Sequence, residues 1–259
     1  MAECPGIITT NDQFHDNFHL LDSSTIICCR LRLSPGEEHI LLDLRERGVT
    51  LIPSATAQLA SRSKVHQARI FSPFMLPDTK VIYDTNQLLQ ATSFYKNINC
   101  SEVIIKQDRK NGGLGIHHFQ DIESVYNMAV LGNLNYPFVV QPYLKYFQDI
   151  RVIILADYIE AYTRTNRKNF RQNIHCGGES TPIAVEQKLI DYCRSVMNRG
   201  AFPYGHIDLM VTPEENIYLT EINLRGGLRG AAINSVEYSN RIAAIHMHLI
   251  EELQTENLK

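Results

Sequence analysis

The most informative segment of the chain is residues 206–223, His-Ile-Asp-Leu-Met-Val-Thr-Pro-Glu-Glu-Asn-Ile-Tyr-Leu-Thr-Glu-Ile-Asn, in which two strand-like runs flank a turn at 213–216. A hairpin symmetric about that turn pairs His206 with Asn223, Asp208 with Glu221 and Leu209 with Thr220. Side chains alternate between the two faces of a strand, so the first two pairs share one face. The stretch therefore predicts an antiparallel hairpin that carries two opposed carboxylates.

Two carboxylates directly opposite each other repel and normally destabilise a sheet. A hard divalent cation removes that penalty, since Mg²⁺ binds carboxylate and amide oxygens together with phosphate oxygens. The alternative is a solvated hairpin face on which one acid is protonated or turned away. From spacing alone the two interpretations stand level, because a one-residue slip in register would move the whole set to the other face.

The composition limits the class of protein. Of 259 residues, 44% are apolar and 20% are charged, as in an ordinary folded chain. The net charge of −3 argues against a protein that coats nucleic acid. No apolar run approaches the roughly 18 residues that span a bilayer, and no secretory signal is visible at the N-terminus. The six cysteines lack C-x-x-C spacing, which favours a reducing, cytoplasmic compartment.

Strands and helices alternate with tight hairpins, so we expect an α+β (mixed α/β) chain. Residues 1–24 are polar and predicted to form an irregular arm, and 25–54 a single β-α-β unit. Helices are expected over 37–47, 55–69, 86–95, 122–131, 184–199 and 231–252. The further strands are expected over 79–83, 102–106, 116–119, 137–141, 150–156, 158–162, 205–212 and 216–223.

A second motif suggests contact with phosphate. Lys106 ends the apolar run 103–106, and the stretch Asn-Gly-Gly-Leu-Gly follows at 111–115. Glycines let the backbone approach a phosphate closely, and a lysine supplies a positive charge. The spacing is not G-x-x-x-x-G-K-[ST], so it excludes a P-loop. A glycine-rich hairpin turn explains this motif at least as well, so the motif is weak alone.

The order of the motifs resembles that of the ATP-grasp ligases, and most closely the RimK-like branch, which joins amino acids to carboxylates. The matching segments are 103–106 with 112–115, 139–144, 149–151, 170–178, 207–208 and 221–223. The resemblance covers roughly residues 55–255. It implies two α+β lobes that clamp ATP, a small lobe at about 75–140 and a large lobe at about 141–259. Residues 1–54 would then be a shortened N-terminal unit before the ATP-grasp region 55–259.

The resemblance also implies a role for each segment. Lys106 would hold the ATP phosphates beneath a flap formed by Gly112, Gly113 and Gly115, and residues 141–144 would form the hinge between the lobes. Arg171 and Asn173 would meet the triphosphate and the intermediate. Two Mg²⁺ ions, with Mn²⁺ as an alternative, would be held by Asp208, Glu221 and Asn223, with Glu221 bridging them. The implied ATP-binding set is Lys106, Gly112, Gly113, Gly115, Gln141, Pro142, Tyr143, Leu144, Asp149, Arg171, Gln172 and Asn173.

Two arginines are candidates for binding the carboxylate of a substrate. Arg151 and Arg225 could each bind a carboxylate with two hydrogen bonds, as guanidinium groups do; Arg151 is also counted with Lys106, Arg171 and Asn173 as catalytic. Two departures from the family pattern stand out. Pro142 replaces the acidic residue common in the hinge, and 224–230, Leu-Arg-Gly-Gly-Leu-Arg-Gly, replaces the Pro-Gly of many relatives. We therefore expect an acceptor pocket unlike that of a standard glutamate ligase.

The resemblance implies an ATP-dependent carboxylate–amine ligase that forms an amide or peptide bond through an acyl phosphate and releases ADP and phosphate. The alternatives are a phosphotransferase on the same fold and a nucleotide-binding relative without catalysis. The expected partners are a small-molecule amino acid or carboxylate and an amine or peptide acceptor, with neither nucleic acid nor membrane. The short N-terminal unit would leave sheet edges exposed in a monomer, so we expect a homo-oligomer, at least a dimer.

Overall fold

The computed structural model describes residues 6–110, 112–166, 170 and 177–256. Within those ranges the strands form three sheets of three, five and four strands, with helices packed against them. The expected mixture of α and β structure is confirmed. Of the helices in the described ranges, none combines the length and the apolar character that crossing a bilayer requires.

The N-terminal unit is more ordered than its sequence predicted. Its strands β1 (Ile7–Ile8), β2 (Ile26–Ile27) and β3 (Thr50–Leu51) form a parallel sheet, with α1 (Asn11–Asn17) and α2 (His39–Glu46) as the connections. The prediction of an irregular arm is wrong for residues 6–24. Their polar residues are largely caps and solvent-facing positions: Thr10 caps α1, while Ile8 and Phe14 are buried in the core.

The small lobe contains strands β4 (Lys80–Ile82), β5 (Val103–Gln107), β6 (Ile116–Phe119) and β7 (Phe138–Pro142), in the antiparallel order β4-β7-β5-β6. Helices α5 (Thr85–Asn97) and α6 (Ile122–Val130) cover one face of this sheet. Val103 and Ile105 point into that helical layer. Because strand side chains alternate, Ile104 and Lys106 point to the opposite face, which is the face that carries the site.

The large lobe is built on an antiparallel sheet with the order β10-β9-β8-β11-β12. Its strands are β8 (Gln148–Leu155), β9 (Tyr158–Thr165), β10 (Glu179–Ile183), β11 (Tyr204–Val211) and β12 (Ile217–Asn223). Helices α7 (Gln187–Gly200) and α8 (Ser235–Glu256) complete the lobe. The sequence did not predict β10, an edge strand that contains Pro182, and an edge is where a sheet tolerates proline.

The single helix expected over 55–69 is two helices, α3 (Ala55–Ala60) and α4 (Lys64–Ile70). Ser61 accepts a hydrogen bond from the backbone N–H of Leu224 (2.9 Å), and Ser63 caps α4. The buried side chain of Gln67 bonds to both the N–H and the C=O of Ile222 (2.9 and 3.0 Å). Helix α4 therefore covers the outer edge of β12 and satisfies its backbone.

The register of the 206–223 hairpin is confirmed at the end away from its turn. His206 pairs with Asn223 and Asp208 with Glu221, as the sequence predicted. The prediction fails one step further on, where Leu209 pairs with Leu219 because a β-bulge follows Asp208. The extra residue is Thr220, whose hydroxyl donates to the carbonyl of Asp208 (3.0 Å).

Candidate active site

A cavity of about 540 Å³ is lined by residues of the small-lobe and large-lobe sheets. Most of the residues that the sequence singled out lie on its walls. They are Lys106, Gly112, Gly113, Gln141, Tyr143, Leu144, Asp149, Arg151, Asp208, Glu221 and Asn223. Gly115 and Pro142 do not line it. Arg171, Gln172 and Asn173 lie outside the described residues.

The glycines of the loop after β5 have different tasks. Gly112 and Gly113 have φ values of 66° and 78°, which side-chain-bearing residues rarely adopt. Gly115 instead has no room for a side chain, since a Cβ would collide with Lys110. Its carbonyl accepts the N–H of Gln107 (2.8 Å), so it shapes the turn beneath the flap.

One end of the cavity, which we call the hinge end, is lined mainly by aromatic and apolar side chains. The ring of Tyr143 lies on His118, with 4.2 Å between centroids, and Phe170 lies 5.5 Å from the same imidazole. His118 Nε2 is held 2.6 Å from the Glu102 carboxylate. The remaining wall is made by Ile104, Ile116, Leu144, Phe147 and Met210. Such a slot suits a planar heteroaromatic ring.

The other end, the charged end, contains a buried ion network. Arg151 on β8 is directly opposite Asp208 on β11 and binds both of its oxygens (2.6 and 2.7 Å). Arg164 on β9 is opposite Asp149 and bridges it to Asp208, at 2.6 and 3.1 Å. The repulsion between Asp208 and Glu221 is thus relieved by arginines, so the paired acids do not by themselves require a metal.

The two acids of this network differ in their pKa. Burial alone would raise the pKa of Asp208, but the two guanidinium groups outweigh it and hold that pKa below its ordinary value. Asp149 has its pKa raised, because burial and the nearby Asp208 outweigh Arg164. Asp208 therefore keeps its negative charge the more firmly of the two.

Two lysines converge on Glu221. Lys106 is buried and donates to the carbonyl of Thr220 (3.3 Å), in the bulge. Burial lowers its pKa to about 8, with a smaller effect from the like charge of Lys64. Lys64 donates to the carbonyl of Lys110 (2.7 Å) and lies 3.4 Å from Glu221 Oε1. Sequence reasoning missed Lys64, because it expected an uninterrupted helix where α4 begins.

The donor set on β11 and β12 fits Mg²⁺. Asp208, Glu221 and Asn223 present carboxylate and amide oxygens to the same cavity, and these are the ligands that Mg²⁺ prefers. Asp208 accepts three bonds of the roughly four that a carboxylate can take. In the described ranges no group of three or more His, Cys, Asp or Glu side chains could hold a metal unaided. Phosphate oxygens would have to complete the coordination shell.

A model of the RimK-like ATP-grasp domain matches residues 59–245, which is more than half of the chain. The chain belongs to the RimK-like ATP-grasp family. The family predicted from sequence is thereby confirmed. A comparison with curated protein sequences finds no match.

Solved structures confirm the ATP-grasp fold, at identities too low to show more than the fold. The D-cycloserine synthetase DcsG is 11% identical with a TM-score of 0.63, over 85% of this chain and 84% of that one. PurK, N5-carboxyaminoimidazole ribonucleotide synthetase, in its ADP complex is 13% identical with a TM-score of 0.61, over 86% of this chain. The match spans 59% of the length of PurK. The ATP-grasp ligase PsnB, complexed with minimal precursor, is 16% identical with a TM-score of 0.58, over 85% of this chain and 78% of that one.

The ATP-grasp cavity also contains arginines that the site prediction left out. Arg164 and Arg229 line it, and so does Arg30, which follows β2 of the N-terminal unit. Arg225, predicted as a carboxylate-binding fork, is on the wall as well. A signal for Arg30 existed in the sequence: it closely follows an apolar strand, and ligands bind at the carboxyl ends of parallel strands.

His206 has a structural task in this ATP-grasp site. It is fully buried, and its Nε2 lies 2.9 Å from the hydroxyl of Tyr238. Burial lowers its pKa to about 3, so the ring is neutral at ordinary pH. A Cβ at Gly226 would lie 2.5 Å from its Nδ1, so the backbone of the 224–230 loop packs directly on the ring.

Proposed function

We propose that the protein is an ATP-dependent carboxylate–amine ligase, which forms an amide or peptide bond and releases ADP and phosphate. The observation that carries the proposal is the charged end of the cavity. Four cations, Lys64, Lys106, Arg151 and Arg164, face three carboxylates, Asp149, Asp208 and Glu221, below a flap of glycines. This excess of positive charge suits a triphosphate, and the apolar hinge end suits its base.

The chain's own residues would act by positioning and by neutralising charge. Tyr143 and the apolar wall would hold the base, while Lys106 and the backbone of Gly112 and Gly113 would hold phosphate oxygens. Arg151, fixed by Asp208, would orient the substrate carboxylate or the transferring group. We keep Arg171 and Asn173 in the proposal for the triphosphate.

The chemistry needs no side-chain nucleophile. An oxygen of the substrate carboxylate attacks the γ-phosphorus, the bond to the bridging oxygen breaks, and ADP leaves. An amine then attacks the acyl carbon, the acyl–oxygen bond breaks, and phosphate leaves while the amine loses a proton to solvent. Mg²⁺ ions held by Asp208, Glu221 and Asn223, or Mn²⁺ in their place, would neutralise charge on the phosphates.

The substrates we propose are a small-molecule amino acid or carboxylate together with an amine or peptide acceptor. PsnB was solved with a minimal precursor, and the structurally similar macrocyclase MdnC with the precursor peptide MdnA, which supports a peptide as one option. The described thiols Cys28, Cys29, Cys100 and Cys193 are free, which is compatible with the cytoplasm.

We also propose that the protein is at least a dimer. The three-stranded sheet of the N-terminal unit ends at β1, where Ile7 is 42% exposed. An exposed sheet edge with an apolar residue favours pairing with another chain. Light scattering at micromolar concentration should give at least twice the monomer mass, and a monomer alone would contradict the proposal.

The ligase proposal is tested by measuring ADP and free phosphate together, with Mg-ATP and pools of amino acids, dipeptides and small dicarboxylates. We expect equal amounts of both products in at least one pool, and none with Glu221→Ala. Glu46→Ala, which removes an exposed acid on α2, is the matched control and should retain full activity. ADP without phosphate would indicate a phosphotransferase. Binding of Mg-ATP without turnover in any pool would indicate a non-catalytic relative.

A further inference from the structure

Three arginines form a rim around one side of the cavity, and we call Arg30, Arg225 and Arg229 the arginine rim. All three line the cavity and remain accessible to solvent. They come from distant parts of the chain. Arg30 belongs to the N-terminal unit, whereas Arg225 and Arg229 lie in the loop that follows β12. Folding therefore brings three positive charges to one opening.

The rim arginines differ from Arg151 and Arg164, whose charges are matched by acidic partners. Arg151 and Arg164 are committed to Asp208 and Asp149 at 2.6–3.1 Å. No acidic side chain in the described ranges pairs with a rim arginine. Partial burial and, to a smaller extent, the like charge of Arg225 lower the pKa of Arg30, so these two rim arginines lie close enough to repel each other. An anion placed among them would relieve that repulsion.

Their position along the sheet separates Arg225 and Arg229 from the hinge end. On β11, Met210 is level with Asp149 at the start of β8, Asp208 is level with Glu221, and His206 is level with Asn223. At about 3.3 Å per residue, His206 lies roughly 13 Å from Met210. The loop with Arg225 and Arg229 follows Asn223 at that end of β12, and its Gly227 turns back to Arg151. The two rim arginines of this loop therefore come from the Asn223 end of the hairpin, whereas Met210 of the hinge wall lies towards its other end.

The loop that carries two of the rim arginines is fixed from several directions. Leu224 donates its N–H to Ser61 (2.9 Å) and accepts from the hydroxyl of Tyr238 (3.3 Å). Arg151 donates to the carbonyl of Gly227 (3.4 Å). Gly226 packs on His206, where a side chain would not fit. The backbone is therefore held in place while Arg225 and Arg229 remain exposed.

We propose that the arginine rim is a subsite for a second anionic group of the carboxylate substrate, so that this substrate carries at least two negative charges. The inference rests on the proposed ligase function, because that reaction activates one carboxylate of the substrate and leaves the second anionic group for the rim to bind. A guanidinium can bind a carboxylate or a phosphate through two parallel hydrogen bonds. Three of them around one opening select against a substrate with a single charge.

The test measures binding and needs no turnover, so it does not depend on ligase activity. Calorimetry on the full chain, saturated with Mg-AMP-PNP, would compare three five-carbon or similar probes: glutarate, 4-phosphonobutyrate and pentanoate. Glutarate and 4-phosphonobutyrate carry a second anionic group, as a carboxylate and a phosphonate, whereas pentanoate lacks one. We expect at least one of the two to bind about tenfold or more tightly than pentanoate.

The variants locate that preference. Arg225→Gln and Arg30→Gln should each remove most of it, and Arg225→Lys should retain part of it, since the charge remains. Arg194→Gln removes an exposed arginine on α7 and should change nothing. The affinity for Mg-AMP-PNP should stay within about twofold in all four. A preference for glutarate would identify a carboxylate group, and one for the phosphonate a phosphate group.

Three results would overturn the proposal. One is equal binding of pentanoate and both dianions. Another is a loss of Mg-AMP-PNP affinity in Arg225→Gln and Arg30→Gln with no loss for the dianions, which would assign the rim to the triphosphate. The last is no binding of either dianion at millimolar concentration. By contrast, an absence of phosphate release in the turnover assay would refute the ligase reaction and leave these binding results intact.

Discussion

The two ends of the cavity use different physics. At the hinge end Tyr143, His118 and Phe170 form a cluster of rings, and the rest of the wall is apolar. At the charged end Asp208 is shared by two arginines, and Glu221 lies between two lysines. Each apolar contact contributes a small amount to stability, whereas a buried charge that loses a partner carries a large free-energy cost. Damage at the charged end should therefore be the more severe.

The largest effect is expected from Asp208→Ala. Arg151 would lose its acidic partner and Arg164 one of its two, and both guanidiniums are nearly buried. Breaking one side of a buried ion pair costs about 3 kcal/mol or more. We expect the free energy of unfolding, from urea denaturation, to fall by about that amount and ATP turnover to vanish. The control Asp191→Ala, at an exposed acid on α7, should do neither. An unchanged urea midpoint in Asp208→Ala would refute the role of this network.

The next effect is a pH dependence at Lys106. In the free protein its pKa is lowered to about 8 by burial. A bound triphosphate favours the protonated amine, so nucleotide affinity should be constant below pH 8 and fall above it. The fall is at most about tenfold per pH unit. Calorimetric titration with Mg-AMP-PNP should show it, and Lys106→Arg should flatten the profile. An equally steep profile in that variant would assign the titration to another group.

A smaller effect is expected at the hinge end from Tyr143→Ala. Loss of one ring from an aromatic stack costs about 1 kcal/mol, so the Kd of Mg-AMP-PNP should rise about fivefold. Because no charge is removed, the ratio of the variant's Kd to that of the unaltered protein should not vary with salt concentration. Tyr146→Ala is the matched control, since that ring is 70% exposed. A strong salt dependence of the ratio would remove the contrast between the two ends.

The smallest effect lies outside the cavity, where the N-terminal unit meets the base of the flap. Glu38 binds Arg109 at 2.9 Å, and both side chains are partly exposed. Glu38→Gln should lower the free energy of unfolding by no more than about 1 kcal/mol. It should also speed tryptic cleavage after Arg109 or Lys110, as monitored by mass spectrometry. The control Glu46→Gln should leave the cleavage rate unchanged. Unaltered cleavage would show that this ion pair does not restrain the flap.

The hairpin illustrates how far sequence reasoning reaches. Strict alternation on both sides of a short turn was enough to place Asp208 opposite Glu221 and His206 opposite Asn223, because both follow from the period of a strand. The bulge at Thr220 was not predictable. In the bulge the Thr220 hydroxyl donates to the carbonyl of Asp208, and the carbonyl of Thr220 accepts from Lys106. Because Lys106 belongs to another sheet, this arrangement is not visible in the hairpin sequence.

The N-terminal region illustrates the opposite error. Its polar composition suggested an arm, yet a few apolar side chains such as Ile8, Phe14 and Leu21 are enough to close a small core. Lys64 was missed for a related reason. The pattern over 55–69 fits one helix, but Ser61 is drawn into a bond with Leu224, far away in the chain, and the helix is interrupted there.

The ATP-grasp fold, the pairing of His206 and Asp208 across the hairpin and part of the cavity wall followed from the sequence, because these depend on local periodicity and on motifs in a known order. Tertiary structure alone decided which charges meet. The strand order β9-β8-β11-β12 places Arg164 and Arg151 beside Asp208, and the N-terminal sheet places Arg30 at the same cavity as Arg225. Electrostatic energy depends on distance in space and on burial, and neither is written in the spacing of residues along the chain.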